Sequence, residues 1–146
     1  MEGIKKYSLK DVEKIIKTRD GETKFGERVH FIEDLENLAT IDAKYVLFGI
    51  PEDIGVRGNL GKSGTAGAWK SCLKSLLNIQ ANQYTKPEKV VLLGEVDCKE
   101  AMEKASNIDP ADPNYHIKLG DLIGKIDLVV SGLVNKIISA GKIPII

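Results

Sequence analysis

Two stretches of the chain are apolar at consecutive positions: Tyr45-Val46-Leu47-Phe48 and Val90-Val91-Leu92-Leu93. Runs of this kind, closed by Gly49 and Gly94, predict strands buried on both faces, as parallel strands are when helices cover each side. They set strands over 44–50 and 89–94. A third run, Lys142-Ile143-Pro144-Ile145-Ile146, predicts a last buried strand over 142–146. Pro144 has no N–H to give, so it fits a strand start or an edge and not the middle of a central strand.

Between these runs the apolar spacing becomes helical. Trp69, Cys72, Leu73, Leu76 and Leu77 share a stripe and predict a helix over 64–78. Residues 97–106 predict a short polar helix, and 107–116 a loop rich in Asp, Pro and Asn. A long helix is expected over 117–140, with a break at Gly120 or Gly124. Its expected buried face is Leu128, Val129, Leu133, Val134, Ile137 and Ile138, with Gly141 just past its end. Ahead of the first strand, Ser8 and Asp11 predict a helix start running to about Arg19, with Leu9, Val12, Ile15 and Ile16 on one face. Asp20-Gly21 is a turn signal, 29–32 a short strand and 34–38 a helical turn. Strand, helix, strand, helix, strand predicts an α/β domain with a mostly parallel sheet and helices on both faces. With no interdomain linker, 1–146 is a single domain, a helical extension over 1–40 followed by a strand–helix core over 44–146.

Composition removes several classes of function. Lys plus Arg and Asp plus Glu are both 21, so a net charge of zero gives no electrostatic case for nucleic acid or an anionic membrane surface. The apolar region over 126–146 is interrupted by Asp127, Asn135, Lys136 and Lys142, short of the ~20 apolar residues of a membrane span. Cys72 and Cys98 stand in no metal or redox spacing and read as reduced thiols of a cytoplasmic protein. Ending on an apolar strand predicts that 1–146 is the amino-terminal part of a longer protein. The loop after that strand, where open α/β sheets place ligands, would then lie outside it.

Catalytic patterns are weak. Leu60-Gly61-Lys62-Ser63 resembles the end of a phosphate-binding loop, but the required first glycine falls on Val56, and Glu52 and Asp53 would repel phosphate. Gly58, Gly61 and Gly64 are spaced by three, which breaks the dinucleotide fingerprint. His30 and His116 have no metal-ligand spacing. Ser63 and Ser71 lack a nucleophile-elbow context, Cys72 falls on the apolar helix stripe, and Asp109 and Asp112 read as turn residues. Glu95 and Asp97 end a strand, where sites form, but without further ligand partners.

The stretch Gly49 to Trp69, GIPEDIGVRGNLGKSGTAGAW, resembles the first conserved segment of the ureohydrolase family of arginases, agmatinases and formimidoylglutamases. Gly49, Pro51, Asp53, Gly55, Val56, Arg57, Asn59, Gly61, Lys62 and Gly64 carry the resemblance, closest to formimidoylglutamase-like members. The runs Lys89 to Asp97 and Ile137 to Ile146 look like the family's second strand and the helix and strand before its first metal motif. The resemblance implies an arginase-like three-layer α/β/α fold, incomplete here on its carboxy-terminal side. It implies a site of two manganese ions in the full-length protein and hydrolysis of linear formimino or guanidino C–N bonds. It further implies a small-molecule amidine as substrate, and a homo-oligomer, which the apolar edge of the last strand also predicts. The metal-ligand motifs, Gly-Gly-x-His and paired Asp/His, are not among these residues. This part alone is therefore expected to bind no metal, to hold no catalytic residue and to be inactive. Asp53, Arg57 and Asn59 either line the entrance of a substrate site or tie the loop down. The chain has Thr65-Ala66-Gly67-Ala68-Trp69-Lys70 where members carry Gly-Pro before Ala-Ile-Arg, which leaves the substrate subgroup open. The alternatives are a non-catalytic binding or assembly module on the same fold and, further off, a nucleotide-binding protein.

Overall fold

The computed structural model describes residues 2–146. The elements are β1 (Ile4–Lys6), α1 (Leu9–Val12), β2 (Tyr45–Gly49), α2 (Ile54–Gly58), α3 (Ala68–Leu76), β3 (Val90–Val96), α4 (Lys99–Ser106), α5 (Tyr115–Ser139) and β4 (Ile143–Ile145). They form an α/β fold on one mixed four-stranded sheet in the order β1-β3-β2-β4. β2 runs parallel to both β3 and β4, and β1 is antiparallel to β3.

The consecutive apolar runs work as the pattern predicts. Val46 and Phe48 of β2, with Val91 and Leu93 of β3, pack with Leu119, Leu122, Leu133 and Ile137 of α5. Leu47 and Leu92 point to the opposite face and pack with Val12, Trp69, Leu73 and Leu77. Each central strand thus feeds two apolar clusters, which explains the absence of alternating polar positions.

A bulge then changes the phase of β3. Leu47 is level with Leu92 but Phe48 is level with Gly94, so Leu93 is the extra residue. Gly94 has φ 137°, and a Cβ there would overlap the Lys5 carbonyl of β1. Only glycine allows β1 to pair this closely. Beyond the bulge Val96 joins the α5-side cluster, and Glu95 faces the α3 side with Tyr7 and Trp69. Re-aiming a side chain in this way is what a bulge does.

Several expectations need correction. The amino-terminal extension is not mainly helical: α1 has only four residues, and β1, too short and polar to show a strand pattern, joins the sheet. Residues 29–32 form only an isolated bridge, His30 with Val91. The helical turn expected over 34–38 is present, as a 3₁₀ turn, Leu35–Thr40, capped by Asp34. The helix expected over 64–78 opens with a 3₁₀ turn, Thr65–Gly67, and Cys72 on α3 is exposed instead of lying in the core. The glycine-rich stretch after β2 is not wholly loop, because α2 lies within it.

α5 runs 25 residues without a break. Gly120 and Gly124 each weaken it by about 1 kcal/mol relative to alanine, which the packing of its buried face offsets. Leu133 and Ile137 are buried as expected, whereas Leu128 and Ile138 are exposed. The helix ends as Gly141 predicts: with φ 73°, its N–H donates to Ile138 O and that of Lys142 to Ile137 O. β4 sits at the edge beside β2, where Pro144 is tolerated, and Ile143 and Ile145 are exposed instead of buried.

Candidate functional site

Parallel strands bring their carboxyl ends to one edge of the sheet, the usual place for ligands in such folds. Here that edge holds the turn after β2, with Glu52 and Asp53, and the end of β3, with Glu95, Asp97 and Cys98.

Asp53 is the buried charge of this region, at 3% exposure. Its Oδ2 accepts the Gly64 N–H at 2.8 Å, across the loop, and its Oδ1 lies 2.7 Å from Arg57 Nε. The Nε–H is not aimed along that line, since neither atom makes a regular hydrogen bond. Charge, not alignment, holds the pair. Arg57 Nη1 donates to Ser106 Oγ at 3.0 Å and so ties α2 to α4. The Asp53 N–H meets the Met102 sulfur at 3.4 Å. Glu52 Oε2 accepts the Ile54 and Gly55 N–H groups at 2.6 and 3.1 Å and caps α2. Val56 O accepts the Gly61 N–H at 2.8 Å, folding the loop back onto α2. The structure therefore brings Asp53 and Arg57 together but not Asn59. Asn59 is exposed, and its backbone N–H closes α2 on Gly55 O at 3.2 Å. Each acid gives one carboxylate oxygen to this chain's own backbone N–H groups, and Lys62 and Ser63 are exposed outside the knot. A loop occupied by its own carboxylate is not arranged to cradle phosphate.

Gly49 ends β2 beneath the Trp69 indole, and an added Cβ would overlap the ring. Trp69 Nε1 donates to Tyr7 Oη at 3.3 Å, and Tyr7 donates to Glu95 Oε2. Lys5 Nζ lies 3.3 Å from Glu95 Oε1. Burial, then the bond to Glu95, raises the Tyr7 phenol pKa. Together with Asp11, Lys70 and Leu73 these residues line a cleft of about 310 Å³ between α1 and α3. Sequence reasoning singled out Glu95 but not its partner Tyr7. The signal would have been the polar β1 strand, which carries Tyr7 to the sheet edge.

The other candidates have separate structural roles. Asp97 Oδ1 accepts the Lys99 N–H at 3.1 Å at the start of α4, so Asp97 does not pair with Glu95. Asp109 and Asp112 accept turn N–H groups at 2.9 and 2.8 Å, as turn residues do. His30 Nε2 sits 2.9 Å from Glu88 O, and His116 is exposed on the first turn of α5. Cys98 is buried; its pKa is pushed up to about 11 by burial first, then by the charges of Glu52, Asp97 and Glu95. Among the described residues no three His, Cys, Asp or Glu side chains converge as metal ligands, so the residues present do not fit a two-manganese centre. No helix among them is long and apolar enough to cross a membrane.

Comparison with family models, curated proteins and solved structures returns no match.

Proposed function

We propose that this chain is the amino-terminal scaffold of a ureohydrolase-like hydrolase of linear amidines, acting on formimino or guanidino C–N bonds. The observation that carries the reading is what the fold does with the segment that resembles that family. Gly49 seats Trp69 at the end of β2, and Asp53 clamps Arg57 and Gly64 at the carboxyl edge of the parallel strands. Gly61 turns the chain back onto α2. Gly49, Asp53, Arg57, Gly61 and Gly64 thus gather at the edge where an α/β enzyme places its site, while Asn59 and Lys62 of the same resemblance stay exposed outside that knot. Asp53 and Arg57 are positioning residues in this reading, not catalytic ones.

An arginase-like three-layer arrangement belongs to the same proposal. Its support is the pair of apolar clusters, one on each side of the β2–β3 sheet. The free thiols Cys72 and Cys98 support a reducing, cytoplasmic setting. Two manganese ions would be held by residues of a further segment, so residues 1–146 alone are expected to be inactive. Reading the coding frame past Ile146 tests this. A Gly-Gly-x-His motif soon after Ile146, followed by paired Asp/His motifs, is the expected result. A frame that continues without those ligands would leave a binding or assembly module, and an immediate stop codon would reject the reading.

A further inference from the structure

The loop knot stands at the carboxyl ends of the parallel strands; their amino ends frame a second hollow. There the approaches to β2 and β3 run side by side, the Lys44 N–H donating to Lys89 O at 2.9 Å and Tyr45 level with Val90. Beside them lies an open pocket of about 520 Å³, within the roughly 300–1,000 Å³ of small-molecule sites. Three lysines line it, Lys44, Lys86 and Lys89, against one acid, Asp42. A chain with equal numbers of basic and acidic residues thus gathers positive charge at this rim. Two tyrosines line it as well. Tyr84 is 84% exposed, and the half-buried Tyr45 has Lys44 Nζ 5.4 Å from its ring centre.

Two details separate this pocket from a patch of solvated lysines. Lys86 has φ 40° and ψ 59°, a left-handed backbone that glycine adopts freely and lysine only with strain. Its N–H donates to Asn82 O at 3.3 Å and its carbonyl accepts the Lys89 N–H at 3.0 Å, with Pro87 buried between. Glycine would serve that turn better, so the turn itself does not account for a lysine there. Asp42 is the second detail. Its side chain is 95% exposed, yet both of its oxygens lie 2.9 Å from Lys89 Nζ. Those bonds first, then the charges of Lys89, Lys142 and His30, hold its carboxyl below the ordinary carboxylate range. The chain's own carboxylate shows where this rim takes an anion.

We infer that the pocket binds a small aromatic anion, a phosphate or carboxylate carried on a flat ring. The anionic group displaces Asp42 from Lys89 and accepts from Lys44 and Lys86, whose ammonium groups have donors to give. The ring lies against Tyr84. A neutral ring leaves the lysines unused, and a bare anion leaves the exposed tyrosine unused. The pocket stands at the far end of the sheet from Asp53 and Arg57, so it does not rest on the amidine reading.

Amide NMR of the chain during titration with phenyl phosphate tests the site. Shifts should be confined to residues 42–45 and 84–90, with a Kd on the order of 1 mM. Inorganic phosphate should move the same residues but bind several-fold more weakly, since it has no ring to stack. Lys44→Gln and Lys86→Gly should each weaken phenyl phosphate about two- to fivefold. Lys86→Gly removes the left-handed strain, so its Tm should hold or rise, and its weaker binding cannot come from a lost fold. Asp42→Asn should act the other way and tighten binding about two- to fivefold, because it frees Lys89. No shift at these residues up to about 20 mM phenyl phosphate would overturn the inference. So would binding that neither Lys86→Gly nor Asp42→Asn changes, or inorganic phosphate binding as tightly as phenyl phosphate.

Discussion

Replacing Asp53 by alanine removes the center of the loop knot. The carboxylate is buried and holds two groups: the Gly64 N–H at 2.8 Å and Arg57 at 2.7 Å. A hydrogen bond to a charged group contributes about 1.5–3 kcal/mol. Breaking a fully buried ion pair costs about 3–5 kcal/mol, but the Arg57 side chain is 22% exposed, and water takes up part of its charge once the partner is gone. The expected loss is therefore about 2–3 kcal/mol, or about 5–10 °C in Tm for a chain of this size. Urea unfolding followed by tryptophan fluorescence measures it cleanly, because Trp69 is the sole tryptophan and packs at the end of β2. Arg57→Leu and the double variant complete a cycle, whose coupling should exceed about 0.5 kcal/mol because the two side chains touch. An Asp53→Ala protein within about 0.5 kcal/mol of the parent would refute the reasoning, since the carboxylate would then not hold the loop.

Three further outcomes follow from the same geometry. Gly49→Ala should destabilise by about 1–3 kcal/mol or more and red-shift Trp69 emission, because the new methyl group displaces the indole; unchanged emission would contradict that packing. With a thiol reagent near pH 8, Cys72 should react quickly and Cys98 only on unfolding, since Cys98 is buried with a pKa near 11 and stays neutral; two fast thiols would contradict this. Tyr7 has its pKa raised above the ordinary 10.0, so above pH 10 the folded state keeps a proton that the unfolded state releases, and stability falls as pH rises. Subtracting the same titration of Tyr7→Phe isolates this contribution, and identical alkaline slopes would remove it.

The parts of the fold that were legible from residues alone share one physical cause. β2 and β3 are buried on both faces, so nearly every position is apolar and the run is unmistakable. Gly141 announced the end of α5 because a left-handed closing residue strongly favours glycine. What was hidden depends on distant partners. β1 is three residues, two of them lysine, and is a strand only because Gly94 lets it approach. The bulge at Leu93 cannot be seen in one strand, since it is defined by the register with β2. Leu128 and Ile138 looked like core because they are large and apolar, but their helical phase puts them on or near the outer side. At the candidate site, the resemblance points to Asp53 and Arg57, and their i,i+4 spacing, from the residue before α2 to its last turn, makes them a pair. The Glu95–Tyr7 contact joins residues 88 positions apart in the chain and left no local trace.

The most direct test of the proposed function is an assay of the product of the complete reading frame that contains these residues. Linear formimino and guanidino compounds are the substrates, with manganese added or removed by chelation. Hydrolysis that releases formamide or urea, lost on chelation and regained with manganese, is the predicted result. A folded, manganese-supplemented product that cleaves none of these C–N bonds would contradict the account.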